Sequence, residues 1–246
     1  MTIAYTKELE KSFGDNRVLR GVSVEIQRGH CTFVVGPSGT GKSVLVKHFV
    51  GLLRPDAGEV FYDGNRVDQL PERELFEIRK RCVYVYQHPT LFDSMSVLEN
   101  VSMVIRHHYG VNKKKADKMA LDQLERLHIG DFATSRPHEL AAGAQKMVSL
   151  ARALSLKPET LILDEPTTGL DPYAAMELDQ LVAGLEEEGM TLIIISHDLR
   201  STQRLADEVI FLLDGKVRQK SSKEGFFASE DPAVYQFVNG LTEGEI

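Results

Sequence analysis

Cysteine, long apolar runs and surplus positive charge are all scarce in this sequence. Only two cysteines occur among 246 residues, Cys31 and Cys82. They lie far apart and outside any metal-ligand spacing. That excludes a disulfide framework and fits two buried thiols in a reducing compartment. No apolar run approaches the ~18 residues needed to span a bilayer. The longest, 191–195 and 209–213, are strand-sized. The opening stretch MTIAYTKELEKSF carries charge but no apolar core, so it does not read as a signal peptide. The formal net charge is −7, which leaves no general attraction to nucleic acid or anionic lipid. There is no internal repeat and no low-complexity linker. The expectation is a cytosolic chain whose membrane role, if it has one, comes through a partner.

What is present is an alternation of short apolar runs with amphipathic stretches, the pattern of a parallel sheet covered by helices. Strands are expected at 22–26, 31–35, 59–62 and 82–86, and again at 161–163, 191–195 and 209–213. Asp63-Gly64-Asn65 reads as a tight hairpin turn. A helix is expected over 42–53. Between about 89 and 156 strand texture disappears, and 97–108, 113–128 and 143–156 read as helices. The simplest account is an α/β fold with a helical subdomain inserted into one lobe, and not two domains in series. Lys113-Lys114-Lys115 reads as a solvated helix start.

Gly36-Pro37-Ser38-Gly39-Thr40-Gly41-Lys42-Ser43 matches G-x-x-x-x-G-K-[ST] in full. Chance alone would place this pattern in roughly 1% of chains of this length. A buried-type strand precedes it and a helix pattern follows it. The glycines let successive backbone N–H groups face an anion, and the helix start adds its positive dipole end. Lys42 should reach the β- and γ-phosphates of ATP, and the Ser43 hydroxyl should ligate Mg²⁺. Val44 continues the nucleotide-binding stretch.

Leu161-Ile162-Leu163-Asp164-Glu165 is an apolar strand ending in two acids. Alone, such a pair usually marks a solvated loop. Following a phosphate loop, it fits Asp164 holding Mg²⁺ and Glu165 accepting a proton from the attacking water. His197 comes just after the apolar run 191–195. It can hydrogen-bond a γ-phosphate, or it can be a histidine satisfied at a helix start.

Taken in order, these elements resemble the ATP-binding cassette ATPases over essentially the whole chain. The match comprises the phosphate loop, Gln87 after the strand at 82–86, residues 140–144 leading into Ser149-Leu150-Ala151-Arg152-Ala153-Leu154, the acidic pair, Gly169-Leu170-Asp171, and Ile195-Ser196-His197-Asp198. The resemblance implies a P-loop NTPase fold: a RecA-like α/β lobe, an antiparallel β lobe and the inserted helices. It implies one ATPase domain over 1–246, with 1–88 and 157–230 as the nucleotide-binding lobe, 89–156 as the helical subdomain and 231–246 as a tail. It also implies roles. Gln87 would contact Mg²⁺ and the attacking water and sense a membrane partner. His197 would hold the γ-phosphate, and Asp171 would communicate across a dimer. Phe13 would stack on adenine, worth about 1–3 kcal/mol, with a core phenylalanine as the alternative.

The family's signature is usually Leu-Ser-Gly-Gly-Gln, at a helix N-terminus that caps the γ-phosphate bound to the other protomer. Here it is Leu140-Ala141-Ala142-Gly143-Ala144. Ala141 has no hydroxyl to donate and Ala142 adds a Cβ. Gly143 and the helix end remain as ligands. Losing a hydrogen bond to a charged group costs about 1.5–3 kcal/mol, roughly 10- to 100-fold. A slow ATPase is expected, and not a dead one.

Residues 91–101 and 231–241 resemble the ATPase subunits of the Mla and mammalian-cell-entry (MCE) lipid-transport systems, and Val44 after the phosphate loop suits that group. This implies a homodimer on the cytoplasmic face of the inner membrane, peripheral, bound to an integral-membrane permease and working with an MCE-domain lipid-binding protein. Nucleic acid is not an expected partner. The segment 237–246 either is disordered or reaches across the dimer. An amino-acid or metal importer ATPase, and a nucleotide-gated assembly subunit with little hydrolysis, stay open as alternatives. A DNA-repair cassette would need a coiled coil or zinc insertions, and neither is visible.

Overall fold

The computed structural model describes residues 1–240 of the chain. Two long strands open it, β1 (Thr2–Phe13) and β2 (Asn16–Gln27), followed by β3 (Cys31–Val35) and helix α1 (Lys42–Phe49). Next come β4 (Ala57–Tyr62), the short β5 (Asn65–Arg66), α2 (Glu72–Arg81) and β6 (Cys82–Val85). Three helices follow without a strand: α3 (Val97–Tyr109), α4 (Lys113–Arg126) and α5 (Ala142–Leu154). The chain then runs through β7 (Thr160–Asp164), α6 (Pro172–Glu187), β8 (Thr191–Ile195), α7 (Leu199–Leu205), β9 (Glu208–Leu213) and β10 (Lys216–Ser222). It ends in α8 (Lys223–Phe227) and α9 (Pro232–Asn239).

The strands form two sheets. A six-stranded sheet has the order β10-β9-β3-β8-β7-β6, parallel except for the β9–β10 pair. An antiparallel sheet has the order β2-β1-β4-β5. The parallel sheet is covered on both faces, which explains its continuous apolar strands. Phe33 and Val35 join a core cluster with helix residues Val101, Ile105 and Leu124, whereas Val34 points into a second cluster with α1 and the antiparallel sheet. Alternate residues of one strand thus serve two cores, as the period-two pleat requires.

β1 and α2 were not expected from the sequence. β1 is hidden by its charges (Lys7, Glu8, Glu10, Lys11) and by register shifts between Thr6 and Leu9, where Glu8 takes a φ of 46°. A bulge there breaks the alternation that marks a strand. α1 is shorter than expected, ending at Phe49. α9 packs on its own chain: Val234 is buried and the Phe237 ring lies 5.1 Å from that of Phe211. The rest of the tail segment, 241–246, lies outside the described residues.

Candidate active site

β3, β8 and β7 are neighbours, so the loops leaving their carboxyl ends share one sheet edge. That edge carries the phosphate loop, the acidic pair and His197. Gly36 leaves β3 with a φ of 144°, and a Cβ there would sit 2.2 Å from the Leu212 carbonyl oxygen. Only glycine fits a backbone this close. Pro37, Ser38 and Gly39 then stand exposed, while Thr40 Oγ1 donates to Pro37 O at 2.9 Å and tightens the turn. Gly41 is the N-cap residue of α1 and makes no side-chain cap, so the helix amides face the loop.

Lys42 is buried, and its Nζ donates to Gly36 O and Pro37 O, both at 2.8 Å. Burial lowers its pKa, and the Glu165 and Asp164 carboxylates oppose that shift. Ser43 Oγ donates to Asp164 Oδ1 at 2.9 Å. The other oxygen, Oδ2, accepts from the Tyr84 hydroxyl at 2.5 Å. Burial, reinforced by the Asp164 carboxylate, pushes the Tyr84 phenol upward and keeps it a donor. Val44 packs against the core cluster beneath the loop.

Glu165 has a φ of 51°, an uncommon conformation for a non-glycine residue. Its amide donates to Ile195 O at 2.9 Å. One carboxylate oxygen lies 2.7 Å from His197 Nδ1 and accepts from Thr168 Oγ1 at 3.2 Å. The carboxylate is largely buried and the imidazole is exposed. His197 therefore meets Glu165, beyond the phosphate contact expected from sequence. His197 directly precedes Asp198, the N-cap residue of α7, so it also stands at a helix start.

Gln87 is exposed at the end of β6 and lines a small cavity with Asp164 and Lys146. Phe13 is 48% exposed at the end of β1, with Lys11 Nζ 5.6 Å from its ring centroid. The alternative of a core phenylalanine is set aside.

The second group of expected residues lies elsewhere. Ala141 is the N-cap residue of α5 and caps nothing with its side chain. Ala141 and Ala142 are exposed. Asp171 is itself an N-cap: its Oδ1 accepts from Tyr173 N at 2.9 Å and Ala174 N at 3.0 Å, starting α6. Ala141, Gly143 and Asp171 line one groove of about 800 Å³, which no residue of the phosphate loop touches. One chain thus brings Lys42, Ser43, Asp164, Glu165 and His197 to one edge, while 141–143 line a groove that none of these five lines.

Tyr84, Lys146 and Thr168 were missed by sequence reasoning. Tyr84 and Lys146 sit inside a strand and a helix read for periodicity alone, and Thr168 falls between two motifs.

The Ser43 and Asp164 oxygens are hard donors suited to Mg²⁺, which keeps several waters and takes few protein ligands beside phosphate. Among the described residues no cluster of three His, Cys, Asp or Glu side chains could hold a metal by itself.

Comparison with known proteins agrees with this arrangement. The family model described as "ABC transporter" matches residues 19–168. The chain is 33% identical over 241 residues to the intermembrane phospholipid transport system ATP-binding protein MlaF of Haemophilus influenzae, covering 98% of this chain and 91% of that one. It is 32% identical over 225 residues to the glutamine transport ATP-binding protein GlnQ of Geobacillus stearothermophilus, covering 92% and 93%. Among solved structures it is similar to the dimeric bacterial ABC transporter cassette MJ0796, with a TM-score of 0.84 and 30% identity over 91% of this chain and all of that one. That cassette has also been solved in a post-hydrolysis state bound to ADP and Pi. With its phosphate loop, acidic pair and histidine on one edge of a parallel sheet, the chain belongs to the ABC transporter family, as an ATPase domain.

Proposed function

We propose that this ATPase drives phospholipid transport as the nucleotide-binding subunit of an Mla/MCE-type system. The observation that carries the enzymatic part is the Ser43–Asp164 and Glu165–His197 pairing at the carboxyl edge of the sheet. Lys42 and the loop amides from Gly36 to Ser43 hold the phosphates, and Phe13 stacks on adenine. Ser43, Asp164 and Gln87 hold Mg²⁺, which when bound neutralises phosphate charge. Glu165 takes the proton of a water attacking the γ-phosphorus, ADP and phosphate leave, and His197 orients Glu165 and the γ-phosphate.

The separation of 141–143 from the phosphate loop supports a homodimer. The α5 N-terminus and Asp171 of one protomer then complete the site of the other, as the dimeric state of MJ0796 favours. Binding of ATP selects the closed dimer, and hydrolysis releases it. Residues 89–156 work as the helical unit that carries this tip, and 1–88 with 157–230 as the nucleotide-binding lobe. The permease docks beside Gln87 and 91–101. An apolar groove of about 360 Å³ lies nearby, lined by Phe76, Met103, Val104, His107 and Leu156. No helix among the described residues is long and apolar enough to cross a membrane. The chain then sits peripherally on the cytoplasmic face of the inner membrane, with an MCE-domain protein as the further partner.

The similarity to MlaF supports phospholipid as cargo. GlnQ stands at nearly the same identity, so import of a polar solute is the second reading. Two measurements test the proposal. Glu165→Gln should abolish phosphate release while nucleotide binding persists. The membrane protein that co-purifies with the chain should carry phospholipid on mass analysis. A permease that instead binds an amino acid would move the assignment to the second reading.

A further inference from the structure

We infer that Lys146 is a positioning residue for Glu165, a tie from the signature helix to the loop that carries the base. Lys146 lies on α5, one turn beyond the 141–143 tip. Its ammonium donates to three carbonyl oxygens of a single loop: Glu165 O at 3.2 Å, Pro166 O at 2.7 Å and Thr168 O at 2.6 Å. A lysine has three N–H donors and no acceptor, so every donor is used and all three are spent on one short segment. Burial lowers the Lys146 pKa, and the Glu165 carboxylate works against that shift.

The segment needs holding. Glu165 sits at a φ of 51°, and such conformations persist only where the surroundings over-determine them. Ile195 O fixes its amide from β8, while His197 and Thr168 fix its carboxylate. Lys146 fixes the backbone from the opposite side, from α5. It also lines the small cavity it shares with Gln87 and Asp164. A displacement of the α5 tip is therefore passed to the Glu165 backbone within the same protomer, in addition to any contact the tip makes with another chain. The same tie would hold the base in place while the Ala141–Ala142 tip engages phosphate weakly.

This inference rests on Glu165 being the base, and the test separates the two. Parent, Lys146→Met, Lys146→Arg and Glu165→Gln are compared for kcat, KM, Tm and affinity for a fluorescent ADP analogue. Lys146→Met should lower kcat about 10- to 100-fold, the loss associated with a charged hydrogen bond. KM and ADP affinity should stay within about twofold, since binding is not what the tie serves. Lys146→Arg keeps the charge and several donors and should recover most of the loss. The inference is overturned if Lys146→Met keeps kcat within about threefold of the parent while Glu165→Gln is inactive. It is equally overturned if Tm and ADP affinity collapse together with kcat, or if Arg is no better than Met. Should Glu165→Gln turn over ATP like the parent, the assignment of the base fails first and this inference goes with it.

Discussion

The two ends of the candidate site are built to different standards. At the phosphate-loop end the chain satisfies itself. Lys42 has two carbonyl partners, both Asp164 oxygens accept hydroxyls, and Gly36 leaves no room for a Cβ against Leu212 O at 2.2 Å. At the α5 end the N-cap side chain is a methyl group that bonds nothing. A Cβ on Gly143 would meet nothing nearer than the Leu170 side chain at 3.6 Å, an ordinary contact. The fold of one chain dictates glycine at position 36 and does not dictate it at 143. A glycine that its own fold does not require is one that a close external approach could require, which is how the proposed dimer would use it.

Matched glycine substitutions put the comparison under the largest strain. Gly36→Ala combines a left-handed φ with overlap onto backbone, and should cost about 3 kcal/mol or more of stability. A shift of the urea midpoint reads this directly. Gly143→Ala replaces glycine within the first turn of a helix and should leave stability unchanged or raise it by up to about 1 kcal/mol. Its phosphate release should nonetheless fall about tenfold, by loss of a close charged contact. If Gly143→Ala unfolds the protein or leaves turnover intact, the two ends do not differ in the way described.

The repair of the loose end is the next test. Ala141→Ser with Ala142→Gly restores a hydroxyl at the N-cap and removes a Cβ. Turnover should rise about 10- to 100-fold. The Ala141→Ser single variant should gain about 0.5–2 kcal/mol from capping α5. Calorimetry and phosphate release separate the two effects. A gain in Tm with no gain in turnover would mean that the tip caps its own helix and touches no phosphate.

The same contrast governs how much was legible in the sequence. The phosphate loop, Asp164, Glu165 and His197 are read from order and spacing because each follows an apolar strand, and parallel strands deliver their loops to one edge. The five-residue strands at 31–35 and 191–195 stood out because both of their faces are buried. β1 did not, because its bulge and alternate charges erase the period. Tyr84 and Lys146 were invisible for another reason. Their partners are 80 residues away in one case and about 20 in the other, and no local pattern encodes that approach. Asp171, expected to link protomers, has a second role the motif does not announce: its carboxylate caps α6.

A remote perturbation asks whether the contrast reflects local construction or only global stability. α6 starts beside the signature groove, capped by Asp171, and carries Glu186 in its last turn, near Asp207. Burial first, and then the Asp207 carboxylate, push Glu186 up to about 7. Its folded pKa thus exceeds the ordinary glutamate value of about 4.3. The stability it contributes is full below the unfolded pKa and is lost as pH rises through about 7. Tm should therefore decline between pH 5 and 8 by about 2 °C from this group, a modest effect because the side chain is partly solvated. Glu186→Gln should flatten that decline without changing turnover at either pH, since the groups that act on it, Asp207, Lys223 and the Cys31 backbone, are not part of the nucleotide edge. If turnover instead tracks Tm across this series, global stability sets the rate, and the local difference between Gly36 and Gly143 loses its meaning.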